Sequence, residues 1–178
     1  MAGCTLARRL VDGGVDVHVF DKGRAAGGRM ATRRSGGMQF DHGAQFMTAR
    51  GSALIAQLGD LQRAGVVAPW EQASPGQAET GRWVGVPGMN ALAPRLLWGA
   101  EVHLQTAVTG IGRDRIGWWL DTDAGRRPEC FDAVLLTVPA PQALSLLERV
   151  ADVDTRPLIG PIGEIRYAPC WALMLLFA

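Results

Sequence analysis

The sequence predicts an α/β fold in which a partial dinucleotide-binding unit precedes an inserted, mainly antiparallel β region. Three observations predict it. A helical period over Ala2–Val11 gives way, at Gly13–Gly14, to the alternation of Val15, Val17 and Val19 that ends on Asp21. The cluster Gly27-Gly28-Arg29 follows that acid closely. From Trp83 onward, short strand candidates are separated by turn residues.

Taken in order, Leu6, Ala7, Leu10 and Val11 share one helical face, and Gly13–Gly14 end the helix. Val15–Phe20 reads as a parallel strand, with His18 facing outward. Lys22–Gly37, rich in glycine and arginine, reads as a loop, and Met38–Asp41 as a short strand. Leu54, Ile55, Leu58 and Leu61 make a helix of Ser52–Ala64, with Ser52 as its N-cap. Gln72–Gly81 reads as an exposed loop, Trp83–Val84 as an edge strand and Met89–Leu97 as a helix. Glu101–Leu104 and Ala107–Ile111 are strand candidates. Ile116–Thr122 and Cys130–Val138 read as a hairpin pair joined by a polar turn. Pro139 opens a helix carrying Leu144, Leu147 and Val150. Leu158–Ile165, broken by glycine and proline, reads as a loop, and Trp171–Ala178 as a buried strand.

At 178 residues and 48% hydrophobic, the chain can bury a core. A net charge of +1 excludes a nucleic-acid partner held by charge alone. Lys22 is the only lysine, which fits the codon usage of a GC-rich bacterial genome rather than a phosphate-binding surface. Cys4, Cys130 and Cys170 form no CxxC pair, so neither a disulfide framework nor a zinc site is indicated. All three read as small core residues in a reducing, cytoplasmic setting. No secretory leader is evident, and the apolar tail is far shorter than the ~20 residues of a membrane span. No membrane association is expected, and the oligomeric state is left open.

The chemistry begins at the first helix. Ala2 and Gly3 stand where a GxGxxG loop would deliver its last glycine, and Asp21 ends the following strand near the offset of an acid that binds a ribose hydroxyl. An ordinary strand-ending aspartate would look the same. Gly28 lets backbone N–H groups approach an anion without a β-carbon in the way, and Arg29 offers a planar fork for a phosphate. A flexible basic loop is the other reading. Phe40-Asp41-His42-Gly43-Ala44-Gln45 is a polar cluster with a glycine, suited to backbone contact with a flat ring or to a turn with a capping aspartate. His42 lacks a visible partner and is not assigned a catalytic role; no catalytic side chain is identified.

These segments resemble the glutathione-reductase-like FAD proteins of the amine oxidase type, and in particular the renalase-like oxidoreductases. The resemblance runs through Asp21-Lys22, Gly27–Arg33, Phe40–Phe46, Val84–Asn90, Val134–Gln142 and Ala168–Leu173, nearly the whole chain in order. It implies a partial Rossmann-like FAD-binding fold with an inserted, mainly antiparallel β substrate region. Asp21 would bind the adenosine ribose with Lys22 beside it, and Arg29 the pyrophosphate. Gly43, Ala44 and Gln45 would line the isoalloxazine edge, and the Val108 backbone would meet the adenine.

The family implies the division 1–50, a partial FAD-binding βαβ region without its first strand; 51–105, a helical substrate region; 106–150, a return to the FAD-binding part; and 151–178, the start of a substrate-domain strand. It further implies oxidation of a small molecule by hydride transfer to FAD, with NAD(P)H among the conceivable substrates. A chain without the first strand and its glycines would hold FAD weakly and tend to aggregate. An NAD-dependent dehydrogenase fragment and a non-catalytic truncated product are the alternatives. Gly27-Gly28-Arg29 after the acid favours FAD over NAD.

Overall fold

The computed structural model describes residues 1–70, 81–151 and 153–176. It is an α/β fold whose first elements follow the expected order. Helix α1 (Ala2–Asp12) buries Cys4 and Ala7. It ends in a hydrogen-bonded reversal: Val15 N–H reaches Leu10 C=O, and Gly14 N–H reaches Val11 C=O. Gly14 adopts φ 77° there, a conformation that favours glycine. Strand β1 (His18–Phe20) follows and pairs in parallel with β7 (Glu101–His103), His18 opposite Glu101 and Phe20 opposite His103. The strand is shorter than the valine alternation predicts, and Val15 is exposed.

The stretch expected as one loop contains a 3-10 turn at Gly28–Met30 and then strand β2 (Thr32–Ser35). β2 forms a hairpin with β3 (Met38–Asp41) across Gly36 and Gly37, whose φ values of 58° and 78° suit a tight primed turn. Thr32–Ser35 has no apolar alternation; the turn and the pairing make it a strand. Helix α2 (Ser52–Arg63) forms as expected, but its N-cap is Gly51 and Ser52 is its first helical residue, with no side-chain cap. β4 (Met47–Thr48) and β5 (Val67–Pro69) flank β6 (Arg82–Gly85) in one antiparallel sheet. Trp83 and Val84 are therefore central and not at an edge. Their partners are two and three residues long, too short for periodicity to register. Apart from Gly81, the loop expected at Gln72–Gly81 lies outside the described residues.

A 3-10 turn at Met89–Ala91 leads into helix α3 (Leu92–Leu96). Leu58, Met89 and Leu92 are fully buried, and with Cys4, Ala7, Met30, Leu61 and Leu96 they make the larger core. Each such large apolar side chain contributes about 1.5–3 kcal/mol. β8 (Val108–Arg113), β9 (Trp118–Thr122) and β10 (Gly125–Arg126) form an antiparallel meander over a second core of Ile111, Leu120 and Leu146.

The expected hairpin between Ile116–Thr122 and Cys130–Val138 does not form. β9 spends one edge on β8 and the other on β10, and only the Trp118–Phe131 bridge reaches the later segment. Helix α4 (Ala140–Leu147) starts after Pro139. A second helix, α5 (Arg156–Gly163), replaces the loop expected at Leu158–Ile165. Its Pro157 lies in the first turn, where a missing N–H costs nothing, and Thr155 Oγ1 ties it to the Leu147 carbonyl at 3.1 Å.

The tail expected as a buried strand is not one: Trp171, Leu173 and Leu176 are exposed, and no described strand pairs with them. Cys130 and Cys170 are likewise exposed, so of the three cysteines only Cys4 is a core residue. Among the described residues, no helix is long and apolar enough to cross a membrane.

Candidate functional site

Of the sequence-predicted site residues, Asp21 and Lys22 stand at the carboxyl end of the parallel pair β1–β7, where open α/β sheets present ligand-binding groups. Asp21 closes β1. Its N–H donates to the His103 carbonyl at 2.9 Å, and its own carbonyl accepts the Thr106 N–H at 3.1 Å. Asp21 Oδ1 accepts the Gly23 N–H at 2.8 Å, which holds the carboxylate at the strand end. Gln105, with φ 52°, donates its N–H to the Gly23 carbonyl at 2.9 Å and completes the crossing of the two strand ends. Lys22 beside them is exposed.

Asp21 also lies near the first turn of α1. Burial pushes the Cys4 thiol above its ordinary pKa; the N-terminal ammonium opposes this, and the charge of Asp21 adds to it. Ala2 and Gly3 occupy that turn, where no side chain caps the helix and the first N–H groups stay available to an anion. Gly3 is required for packing as well: a β-carbon there would stand 2.5 Å from Thr137 Oγ1.

A second group forms around Arg29. Gly27 and Gly28 have φ values of 117° and 54°, which turn the backbone into the 3-10 turn carrying Arg29. The guanidinium is exposed and lies 5.8 Å over the ring of Tyr167. Tyr167 Oη in turn accepts the N–H of Ala140, the first residue of α4. Nothing in the motif spacing points to Tyr167.

Ala44 donates its N–H to the Arg29 carbonyl at 2.8 Å, and Gly43 packs on the same backbone so tightly that a β-carbon would overlap the Arg29 carbonyl oxygen. Gly43 is thus explained by backbone-on-backbone packing before any ring is considered. Gln45 beside it is exposed, as is His42.

Asp41 proves to be a structural brace. Its carboxylate accepts the Met89 N–H at 3.1 and 3.2 Å and the Thr32 hydroxyl at 2.5 Å. Asp41 thus holds a turn 48 residues away in sequence rather than its own. The brace fixes the β2–β3 hairpin against the turn that leads into α3.

A cavity of about 560 Å³ lies beside β1 on the side not paired to β7. Leu6 and Leu10 of α1, Val17 and Val19 of β1, and Val134 and Leu136 line it. Of the expected cofactor residues, Gly3 and Val108 reach this cavity, whereas Asp21, Lys22, Arg29 and Gly43–Gln45 lie outside its lining. Val108 opens β8 opposite Thr122, just before a β-bulge. The cavity is an apolar slot along an open strand edge, distinct from the polar cluster at the strand end.

Comparison with known proteins agrees with this architecture. Residues 1–58 match the model of an NAD(P)-binding Rossmann-like domain. Residues 66–178 match the model of the flavin containing amine oxidoreductases. The renalase of Mus musculus is 29% identical over 97% of this chain and 53% of its own length. The chain thus spans about half the length of that curated relative. A crystal structure of a candidate protoporphyrinogen oxidase from Exiguobacterium sp. 255-15 superposes with a TM-score of 0.60 over 82% of this chain and 58% of that one. At 14% identity it shows a shared fold alone.

Proposed function

Because the chain belongs to the family of flavin containing amine oxidoreductases, we propose that its N-terminal residues hold the FAD of an enzyme that oxidises a small molecule by hydride transfer to flavin. The observation that carries this reading is Asp21: a carboxylate at the end of a parallel strand, fastened by the Gly23 N–H and close enough to the uncapped first turn of α1 for its charge to act on Cys4. In this reading Asp21 accepts from the adenosine ribose hydroxyls, with Lys22 alongside. Ala2, Gly3 and Gly28 offer backbone N–H groups to the pyrophosphate, and Arg29 offers its planar fork.

The residues fit such a group. Gly28, with φ 54° and open space where a β-carbon would stand, leaves its backbone free to approach an anion, while Gly27 packs against Ala93, and Gly43–Ala44 are locked to the Arg29 segment. Gly43, Ala44 and Gln45 would then edge the isoalloxazine, and the Val108 backbone the adenine. Residues 1–50 and 106–150, with β7 paired to β1, make the cofactor side; the rest of 51–105 and 151–178 belong to the substrate side. When bound, the flavin supplies the hydride acceptor, and the protein binds and orients it. A small molecule is the substrate class, with NAD(P)H a member of it.

An NAD-dependent dehydrogenase is the second reading, favoured by the match of residues 1–58 to an NAD(P)-binding domain. Titration with FAD and with NAD, followed by fluorescence, separates the two. The FAD reading expects FAD binding, weak in this chain, that Arg29→Ala weakens further by about 1.5–3 kcal/mol, the range for a hydrogen bond to a charged group. Tighter NAD than FAD binding, or an unchanged FAD affinity in the variant, would contradict it.

A further inference from the structure

We propose that His18, His103 and Glu101 form a binding site for a divalent cation of the zinc class, joining β1 to β7 on the sheet face that meets Phe131. Strand register brings the three together. His18 stands opposite Glu101, and His103 stands one pleat further along β7. Side chains two residues apart share a face of a strand, so both imidazoles and the carboxylate point to the same side.

Two of the three separations between donor atoms, those to His103 Nε2, suit tetrahedral coordination. Metal–nitrogen and metal–oxygen bonds of about 2.0–2.2 Å place neighbouring ligand atoms of a tetrahedron about 3.3–3.5 Å apart. His18 Nδ1 lies 3.3 Å from His103 Nε2, and His103 Nε2 lies 3.2 Å from Glu101 Oε1. All three donors fall within 4.8 Å of one another. Two imidazoles and one carboxylate, with a water at the fourth corner, make a donor set that zinc accepts.

His103 Nε2 faces His18 Nδ1 and Glu101 Oε1 together. A single N–H there reaches both acceptors only as a shared, bent hydrogen bond. A cation between the three would take one lone pair from each.

Packing holds the ligands in place. The His18 and His103 rings stack at 5.5 Å and 15°, His103 stacks on Phe20 at 4.5 Å, and Phe131 meets His18 edge-on. Both histidine side chains are only 16% exposed, so little rotamer freedom remains to be lost on binding. His18 Nε2 faces two carboxylates beyond hydrogen-bond length, Glu101 Oε2 at 3.8 Å and Asp16 Oδ2 at 3.9 Å. A cation here would stiffen the strand ends that carry Asp21, whose N–H is held by the His103 carbonyl. The site adjoins the proposed flavin contacts at Asp21, and the proposal does not rest on them.

The test uses the untagged chain, stripped with EDTA and titrated with Co²⁺, with Zn²⁺ as competitor. The expected result is one equivalent of Co²⁺ with the intense visible absorption of tetrahedral coordination, displaced by one equivalent of Zn²⁺. His18→Phe keeps the aromatic stack and removes the ligand; His103→Gln removes the other imidazole. Each should weaken Zn²⁺ binding at least about tenfold, since even outer-shell partners of a metal site are worth 10–100-fold. Glu101 is 59% exposed, so Glu101→Gln tests the carboxylate without threatening the fold. Zn²⁺ should raise the melting temperature of the parent chain and not of the variants. Absence of saturable Co²⁺ binding, or equal affinity in the parent chain and Glu101→Gln, would overturn the proposal.

Discussion

Ala44 donates its backbone N–H to the carbonyl of Arg29 at 2.8 Å. The contact ties the loop after β3 to the turn after Gly27–Gly28, and Gly43 seals it with no space for a side chain. Two segments that sequence motifs mark separately are therefore one rigid unit. Gly43→Ala should destabilise the chain by about 1–3 kcal/mol, the cost of overpacking against groups that cannot move aside. Urea unfolding followed by circular dichroism checks it. A midpoint equal to that of the parent chain would show that the two loops are not packed as described.

Asp41 should matter to stability and not to chemistry. Asp41→Ala leaves the N–H of the buried Met89 unpaired and frees the Thr32 hydroxyl. The expected loss is about 1–3 kcal/mol, the penalty for an unsatisfied buried donor. Asp41→Asn keeps an acceptor and should recover part of it. If alanine and asparagine unfold at the same denaturant concentration as aspartate, the brace carries no energy.

The cysteines should divide by reactivity. Cys130 and Cys170 are exposed, while Cys4 is buried and its thiol is held protonated by that burial. In the native state at neutral pH, a thiol-disulfide reagent such as DTNB should label Cys130 and Cys170 quickly, and Cys4 only after denaturant is added. Immediate labelling of all three would mean that α1 is not docked on its core.

The tail should drive self-association. Trp171 is 96% exposed and Leu173 80% exposed, and the side of β1 away from β7 borders an apolar cavity. Light scattering should report species larger than one chain, and Trp171→Ser with Leu173→Ser should shift the distribution towards the monomer. A monodisperse monomer in the parent chain would contradict this.

The first helix, the parallel strand and its terminal acid were legible because each leaves a local mark: a 3.6-residue period, a glycine pair, an alternation and a carboxylate at its end. What was not legible depends on partners far away in sequence. β2 has the composition of a loop and becomes a strand through its primed turn and its pairing with β3. β6 is central because of two very short neighbours. Cys130–Val138 has the composition of a strand, yet both edges of β9 are already taken. At the site, Asp21, Gly28 and Arg29 stand out in the sequence, but the use of Asp41 on Met89 and the stacking of Arg29 on Tyr167 appear only when the chain is folded. The pairing of His18 with His103 depends on strand register across 85 residues, which no local pattern records.

The central claim is that Asp21 holds the adenosine ribose of FAD, and a comparison of FAD with FMN tests it most directly. FMN carries the same isoalloxazine but no adenosine. Apo-protein is titrated with each, for the parent chain and Asp21→Ala, following flavin fluorescence. The account predicts that Asp21→Ala weakens FAD binding by at least about tenfold, consistent with hydrogen bonds to a charged group worth about 1.5–3 kcal/mol. FMN affinity should stay the same. An FAD affinity that does not change in Asp21→Ala, or a loss that falls equally on FMN, would contradict the assignment.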